Sequence, residues 1–229
     1  MSKHNFLYLI WKNPQNRRNY IVGRLEKSTV GYAFEYCNEY ESAQKEGWGL
    51  IQAFPEIKRY ESEELFPVFS GRLPDRKRRN IEEILKKYGL SEYDGYELLK
   101  NSGGRLPIDT YEFINPIFDD DKTVERDFYI VGIRHLSGCN GVSCKNRPQL
   151  QVSMKLELLP EPTNKYDVYA VQVQTKEKEL LGYIPRYYSQ SICSRLKDNM
   201  TYDCIVVELN EDTNCQECVK VKLLMPKRN

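Results

Sequence analysis

Four cysteines fall in two close pairs. Cys215-Gln216-Glu217-Cys218 is a C-x-x-C, and Cys139 and Cys144 are spaced C-x4-C. Thiolates from two such loops can hold zinc tetrahedrally, the geometry of a closed structural site. The pairs lie far apart in sequence, so only the fold can unite them; free thiols in surface loops are the other reading. Thiol–disulfide exchange at the C-x-x-C is disfavoured, because no helix start follows Cys215 to lower a thiol pKa. A second chemistry is suggested by Arg72, Arg76, Lys77, Arg78 and Arg79, the most basic stretch of the chain. It precedes a helix start, where phosphate can meet cationic side chains and free backbone amides. Arg76, Lys77, Arg78 and Arg79 are therefore candidate phosphate contacts. Asp75, Glu82 and Glu83 dilute the cluster, so a solvated charged face is the alternative.

No catalytic constellation accompanies these groups. The only histidines are His4 and His135. The chain has no G-x-S-x-G, no H-E-x-x-H, no phosphate loop G-x-x-x-x-G-K-[ST] and no H-x-D-x-x-x-x-N kinase loop. The sequence reads as no enzyme and calls for no cofactor beyond the zinc just considered. A nuclease built from scattered carboxylates would leave no such signature.

Composition sets the frame for these groups. In 229 residues, 40% are apolar, 29% charged and 12% aromatic, enough apolar content for a folded core. The net charge of +1 excludes a histone-like or tail-driven nucleic-acid binder but not a local basic groove. No apolar run approaches the ~18 residues of a membrane helix, and Phe6–Trp11 is too short for a signal-peptide core. The seven cysteines are odd in number and too sparse for a disulfide framework, which indicates a reducing compartment. A cytoplasmic protein with no membrane partner is expected.

The charged, non-periodic segment Asp119-Asp120-Asp121-Lys122 after Asn115-Pro116 reads as a linker, giving domains 1–122 and 123–229. An α+β fold is expected. In the first half, Phe6–Trp11, Tyr20–Leu25, Gly31–Tyr36 and Trp48–Phe54 read as strands of a small β-sheet. Two helices follow. Ile81, Ile84, Leu85 and Tyr88 recur at helical spacing before Gly89, and Asp94 can cap a second helix ending at Gly103-Gly104. In the second half, Phe128–Ile133, the alternating Leu150–Leu158, Val168–Val173 and Leu180–Ile184 read as strands. Pro185 opens one helix carrying Tyr188, Ile192, Cys193 and Leu196, and Tyr202–Leu209 with Cys218–Leu224 make a closing hairpin. Short strands with one helix suggest a small barrel-like domain.

The second half resembles a HIRAN domain. The resemblance is carried by Ile130-Val131-Gly132-Ile133-Arg134, Leu159-Pro160-Glu161-Pro162, the long string Thr163–Val173 with Asn164, Tyr166 and Asp167, and Leu181-Gly182-Tyr183-Ile184-Pro185. It implies a compact β fold and, as in helicase-associated members, capture of the 3′ end of single-stranded DNA. The residues it assigns to DNA are Arg134, His135, Asn164, Tyr166, Asp167 and Tyr183. Arg134 suits a terminal phosphate, Asp167 and Asn164 a 3′-hydroxyl, and Tyr166 and Tyr183 base stacking. The chain departs from the family at His135-Leu136, where end-binding members place two aromatics. A plainer reading stands beside this one. Asn164 and Asp167 can form a turn by bonding nearby amides, Tyr166 can plug the core, Tyr183 can pack in it, and Arg134 can be solvated.

Residues 20–113 resemble the N-terminal subdomain of HipA-type proteins. The carrying pieces are Val22–Leu25, Tyr32–Tyr36, Pro55-Glu56, Leu65–Pro74, and Leu73-Pro74 through Arg78-Arg79 ahead of a helix ending at Tyr88-Gly89. In that family the subdomain precedes a kinase core, here missing, and contacts a DNA-binding partner protein; the resemblance implies a docking module.

Together these readings predict a non-catalytic accessory protein of bacterial or phage origin. It would bind DNA, as a single strand or near an end, and dock a protein effector. A nuclease of an immunity system such as CRISPR, or a kinase-like protein, is the expected effector class, and a homodimer is the expected assembly. The alternative is a pure protein–protein regulator, antitoxin-like or an effector cofactor, with no DNA affinity of its own. The 17 tyrosines suit protein interfaces as well as bases.

Overall fold

A computed structural model describes residues 5–16, 18–37, 39–118, 123–136, 149–210 and 217–226. The chain divides into two compact units, 1–116 and 117–229.

The first unit is built on a five-stranded antiparallel sheet in the order β4-β3-β2-β1-β5, from β1 (Phe6–Lys12), β2 (Asn19–Ser28), β3 (Gly31–Tyr36), β4 (Tyr60–Ser62) and β5 (Tyr111–Ile114). Leu7, Leu9, Val22, Leu25, Phe34 and Phe113 carry the buried side of the sheet into an aromatic core with Phe54 and Phe69. The Phe34 and Phe54 rings stack at 4.4 Å, and Phe69 meets Phe113 edge-on at 4.9 Å. Gly23 makes this possible, since a Cβ there would fall 2.5 Å from Cε2 of Phe34.

The expected strand at Trp48–Phe54 does not form. The segment is irregular, yet Trp48 and Phe54 are buried in the core. In place of a ladder, local backbone bonds and two tyrosine side chains meet its polar groups. The Tyr36 hydroxyl donates to the Phe54 carbonyl at 2.6 Å and accepts from the Ile51 amide, while Trp48 Nε1 donates to the Tyr111 hydroxyl.

Among its described residues the first unit holds four helices where two were expected: α1 (Tyr40–Lys45), α2 (Pro67–Ser70), α3 (Ile81–Lys87) and α4 (Gly95–Ser102). The two read from the sequence are α3 and α4. Asp94 caps α4 by accepting from the Tyr96 and Glu97 amides, and Gly103, at φ 75°, ends it in the left-handed conformation. Helices α1 and α2 are too short to show a helical period.

In the second unit, β6 (Val124–Tyr129), β10 (Asp203–Leu209) and β11 (Val219–Met225) form one three-stranded sheet, ordered β10-β11-β6. The hairpin of β10 and β11 lies where expected. A second sheet is ordered β7-β8-β9, from β7 (Glu157–Pro160), β8 (Val171–Gln174) and β9 (Leu180–Tyr183). The described strands thus make two open sheets joined by the isolated bridges Val131↔Tyr183 and Lys155↔Ile205, not one closed barrel. The fold is α+β.

Three expected elements change extent. The alternation from Leu150 to Leu158 yields a strand only from Glu157, because Val152 and Ser153 turn, with Ser153 at φ 71° and Val152 exposed. The strand expected from Val168 starts at Val171. The apolar run after Tyr129 becomes the four-residue helix α5 (Ile133–Leu136), a second helix in this unit. The expected helix is α6 (Arg186–Lys197), with Pro185 at its N-cap. It buries Tyr188, Ile192 and Cys193 as expected. It also buries Arg195, which donates to the Phe118 carbonyl at 2.8 Å, while Leu196 is half-buried. Among the described residues, no helix is long and apolar enough to cross a membrane.

Candidate nucleic-acid interface

The connection from β7 to β8, residues 161–170, carries three of the six candidate DNA-binding residues, Asn164, Tyr166 and Asp167. Its ends are closed by the Glu161 amide donating to the Ala170 carbonyl at 2.8 Å. Between them few backbone partners exist for the amides, and two short side chains take that role. Asn164 Oδ1 accepts from the Tyr166 and Asp167 amides at 3.0 and 3.2 Å. Asp167 Oδ1 accepts from the Tyr169 amide at 2.9 Å. These are consecutive Asx turns, favoured because a short polar side chain mimics a backbone carbonyl.

The same side chains anchor the loop to its surroundings. Asn164 Nδ2 donates to Glu161 Oε2 at 2.8 Å. Asp167 Oδ2 lies 2.6 Å from the Ser189 hydroxyl of α6, which also lies 2.9 Å from the Arg186 carbonyl. A hydroxyl has one proton, and the shorter, charge-assisted bond to the carboxylate takes it.

Tyr183 pairs across the sheet with Gln172, and its backbone exchanges two hydrogen bonds with Val131. That exchange requires Gly182 at φ 152°, since a Cβ there would sit 2.4 Å from the Val131 oxygen. Burial raises the Tyr183 phenol above its usual range, and Glu161 beside it adds to the shift. Hydrogen bonding from Asn164 holds the Glu161 carboxyl below its usual range, with Tyr183 and Gln172 contributing. Glu161, Asn164, Gln172 and Tyr183 thus form one polar cluster, with Tyr183 half-buried at its inner edge.

With the polar groups turned inward, the apolar ones face out. Tyr166 is 88% exposed, so it does not plug the core; Val168 is 61% and Tyr169 41% exposed. Lys165 between Asn164 and Tyr166 is also exposed. Val168 and Tyr169 read in the sequence only as the start of a strand, so their exposure is a finding of the structure. His135 and Leu136 lie exposed on α5, just after the Val131 bridge, and Arg134 sits in the same helix turn.

The metal candidates Cys139, Cys144 and Cys215 lie outside the described residues. Cys218 is half-buried just before β11, and the described residues contain no group of three or more metal-ligating side chains. Buried Cys204 has its thiol pushed up to about 12 by desolvation, which makes it an inert core residue.

In the first unit the basic stretch divides. Arg72 is buried. Its guanidinium grips both Asp109 oxygens at 2.7 Å and donates to the Gly104 and Tyr111 carbonyls. It is a structural clamp that fixes β5 to the turn, and it is lost as a phosphate contact. Arg76, Lys77, Arg78 and Arg79 remain exposed.

Comparison with known proteins follows this division. Residues 123–223 match the HIRAN domain. Residues 17–107 match the HipA N-terminal domain. No curated protein matches the chain. Among solved structures, the HIRAN domain of human HLTF is similar at 15% identity, covering 45% of this chain and 78% of that one, with a TM-score of 0.34. A protein from Lactobacillus plantarum is similar at 23% identity, covering 46% of this chain and 97% of that one, with a TM-score of 0.35. The loop 161–170, β8, β9 and α5 all lie inside the HIRAN match, and the basic turn lies inside the HipA N-terminal match.

Proposed function

We propose that this protein is a non-catalytic accessory factor. Its HIRAN region holds DNA as a single strand or near a strand end. Its first unit docks a protein effector, a nuclease of a bacterial immunity system such as CRISPR or a kinase-like protein. The observation that carries the DNA reading is the loop 161–170, where Asn164 and Asp167 are spent on the backbone and Tyr166 and Tyr169 are left to solvent. Exposed rings on a pinned backbone suit base stacking, worth ~1–3 kcal/mol per base whatever the sequence, with little ordering cost on binding.

The test is fluorescence anisotropy with single strands bearing a free or phosphate-blocked 3′ end and with a blunt duplex. Single-strand affinity is expected to fall about tenfold or more in Tyr166→Ala, as loss of one stacked base requires. Unchanged affinity in that variant would defeat the DNA reading.

One observation favours the alternative of a protein–protein regulator. In the second unit Lys155 faces Asp203, Lys178 faces Glu157, Lys220 faces Glu208 and Lys222 faces Glu125, which lowers the positive potential available to phosphate. Salt separates the two, since each single-strand phosphate neutralised adds ~0.7 to the log–log slope.

A further inference from the structure

The exposed turn before α3 borders a shallow groove of about 460 Å³. Half-buried Leu73, Pro74 and Tyr93 make its floor, and exposed Asp75, Arg76 and Lys77 stand at its rim, two cations against one acid. The parts of the groove are fixed before any ligand arrives. The Tyr93 hydroxyl donates to the Pro74 carbonyl at 3.0 Å, and the Arg76 guanidinium lies 4.7 Å from the centre of the Tyr93 ring. Below them, Arg72 clamps the turn to Asp109 and Gly104. Asp75, the acid within the turn, has Oδ1 2.7 Å from the Lys77 amide, and Arg78 bonds the neutral Asn80 side chain.

Among the described residues, none of Arg76, Lys77, Arg78 and Arg79 forms an ion pair, whereas Lys155, Lys178, Lys220 and Lys222 of the second unit each do. A run of unpaired cations raises the local potential and draws an oppositely charged partner. The apolar floor makes a phosphate backbone a poor complement, because a nucleic acid presents charge where the groove presents Leu73 and Pro74.

We propose that this groove docks an acidic peptide segment of a partner protein, with an apolar side chain on the floor against Tyr93 and its carboxylates on Arg76 and Lys77. This rests on the reading of the first unit as a docking module and names the surface and the partner chemistry.

The probe is a fluorescein-labelled synthetic 12-residue peptide in which glutamates flank a Leu-Phe pair, titrated against the full chain. Its lysine-for-glutamate counterpart and a 12-nucleotide single strand serve as controls. The acidic peptide is expected to bind, its counterpart not to bind, and the double variant Arg76→Glu with Lys77→Glu to weaken it about tenfold or more, since both rim charges are reversed at exposed positions. Circular dichroism of the variant, expected unchanged, separates lost binding from lost fold. No binding of the acidic peptide, or single-strand binding that the same double variant abolishes while the peptide is indifferent to it, overturns the proposal. Cross-linking mass spectrometry of the full chain in its native host's lysate separates the two levels. Cross-links on the first unit that avoid Pro67–Tyr93 overturn the groove and leave docking standing. No cross-link anywhere on that unit overturns both.

Discussion

In the loop between β7 and β8 the polar side chains turn inward and the rings outward; in the turn between α2 and α3 the cations are exposed, one of them over the ring of Tyr93, which lies between α3 and α4. Each arrangement follows from how local backbone groups are satisfied. Residues 161–170 have few backbone partners, so Asn164 and Asp167 fill that role and have little capacity left for a ligand. Around the turn, Arg72 and Asp75 do the equivalent work, which leaves Arg76 through Arg79 exposed and out of ion pairs among the described residues. The lesson is that a residue's type suggests a chemistry, but its unspent hydrogen-bonding capacity decides whether that chemistry is available.

Substitution can break this comparison, and the largest effect is expected at Arg72. Arg72→Ala removes a nearly buried bidentate pair and two carbonyl contacts, and should cost about 3 kcal/mol in thermal unfolding. A loss below about 1 kcal/mol would mean that the turn does not depend on the clamp. Tyr166→Ala should do the reverse, leaving stability within about 0.5 kcal/mol while single-strand binding loses ~1–3 kcal/mol.

Ser189→Ala sharpens the picture of the pinned loop. It removes the hydroxyl that meets Asp167 and should cost about 1 kcal/mol, with faster amide exchange confined to residues 164–169 if the anchor is local. Arg76→Ala is expected to be smallest, within about 0.5 kcal/mol, because an exposed cation over a ring contributes little to folding.

Acid gives an independent check on the first unit. Burial opposes the charge on Asp109, but the Arg72 hydrogen bonds outweigh it and hold the carboxyl below its ordinary value of 3.8. Asp94 behaves alike, with Lys27 and the α4 amides outweighing burial. A carboxylate depressed in the fold stabilises it fully above the ordinary value and loses that contribution as pH falls through the lowered one. The unfolding midpoint should therefore drop below about pH 4, and the drop should shrink in Arg72→Ala.

Much of the local structure was legible in the chain. The cap Asp94 and the stop Gly103 define α4, and the alternation on either side of the 210–217 connection defines the β10–β11 hairpin, because these signals act within a few residues. Two strand readings failed for one reason. Trp48–Phe54 and Leu150–Val152 have strand-like apolar content, but the first is anchored by the distant Tyr36 and Tyr111 side chains and the second turns at Ser153. Pattern registers that a residue wants burial, not which element supplies it. At the candidate site, Asn164 and Asp167 were readable both as ligand groups and as turn formers. Their bonds place them in the turn, and exposure rather than type singles out Tyr166 and Tyr169.

By itself, then, the sequence determined the α+β character, the capped helix α4 and the stretches matching the HIRAN and HipA N-terminal domains. These depend on periodicity, caps and strings of neighbouring residues. Tertiary structure alone decided that Arg72 is a clamp while Arg76–Arg79 stay exposed, and that Asp167 answers to Ser189 while Tyr166 answers to solvent. Each of those outcomes turns on a partner many positions away, and a hydrogen bond or a buried face exists only once folding brings both sides together.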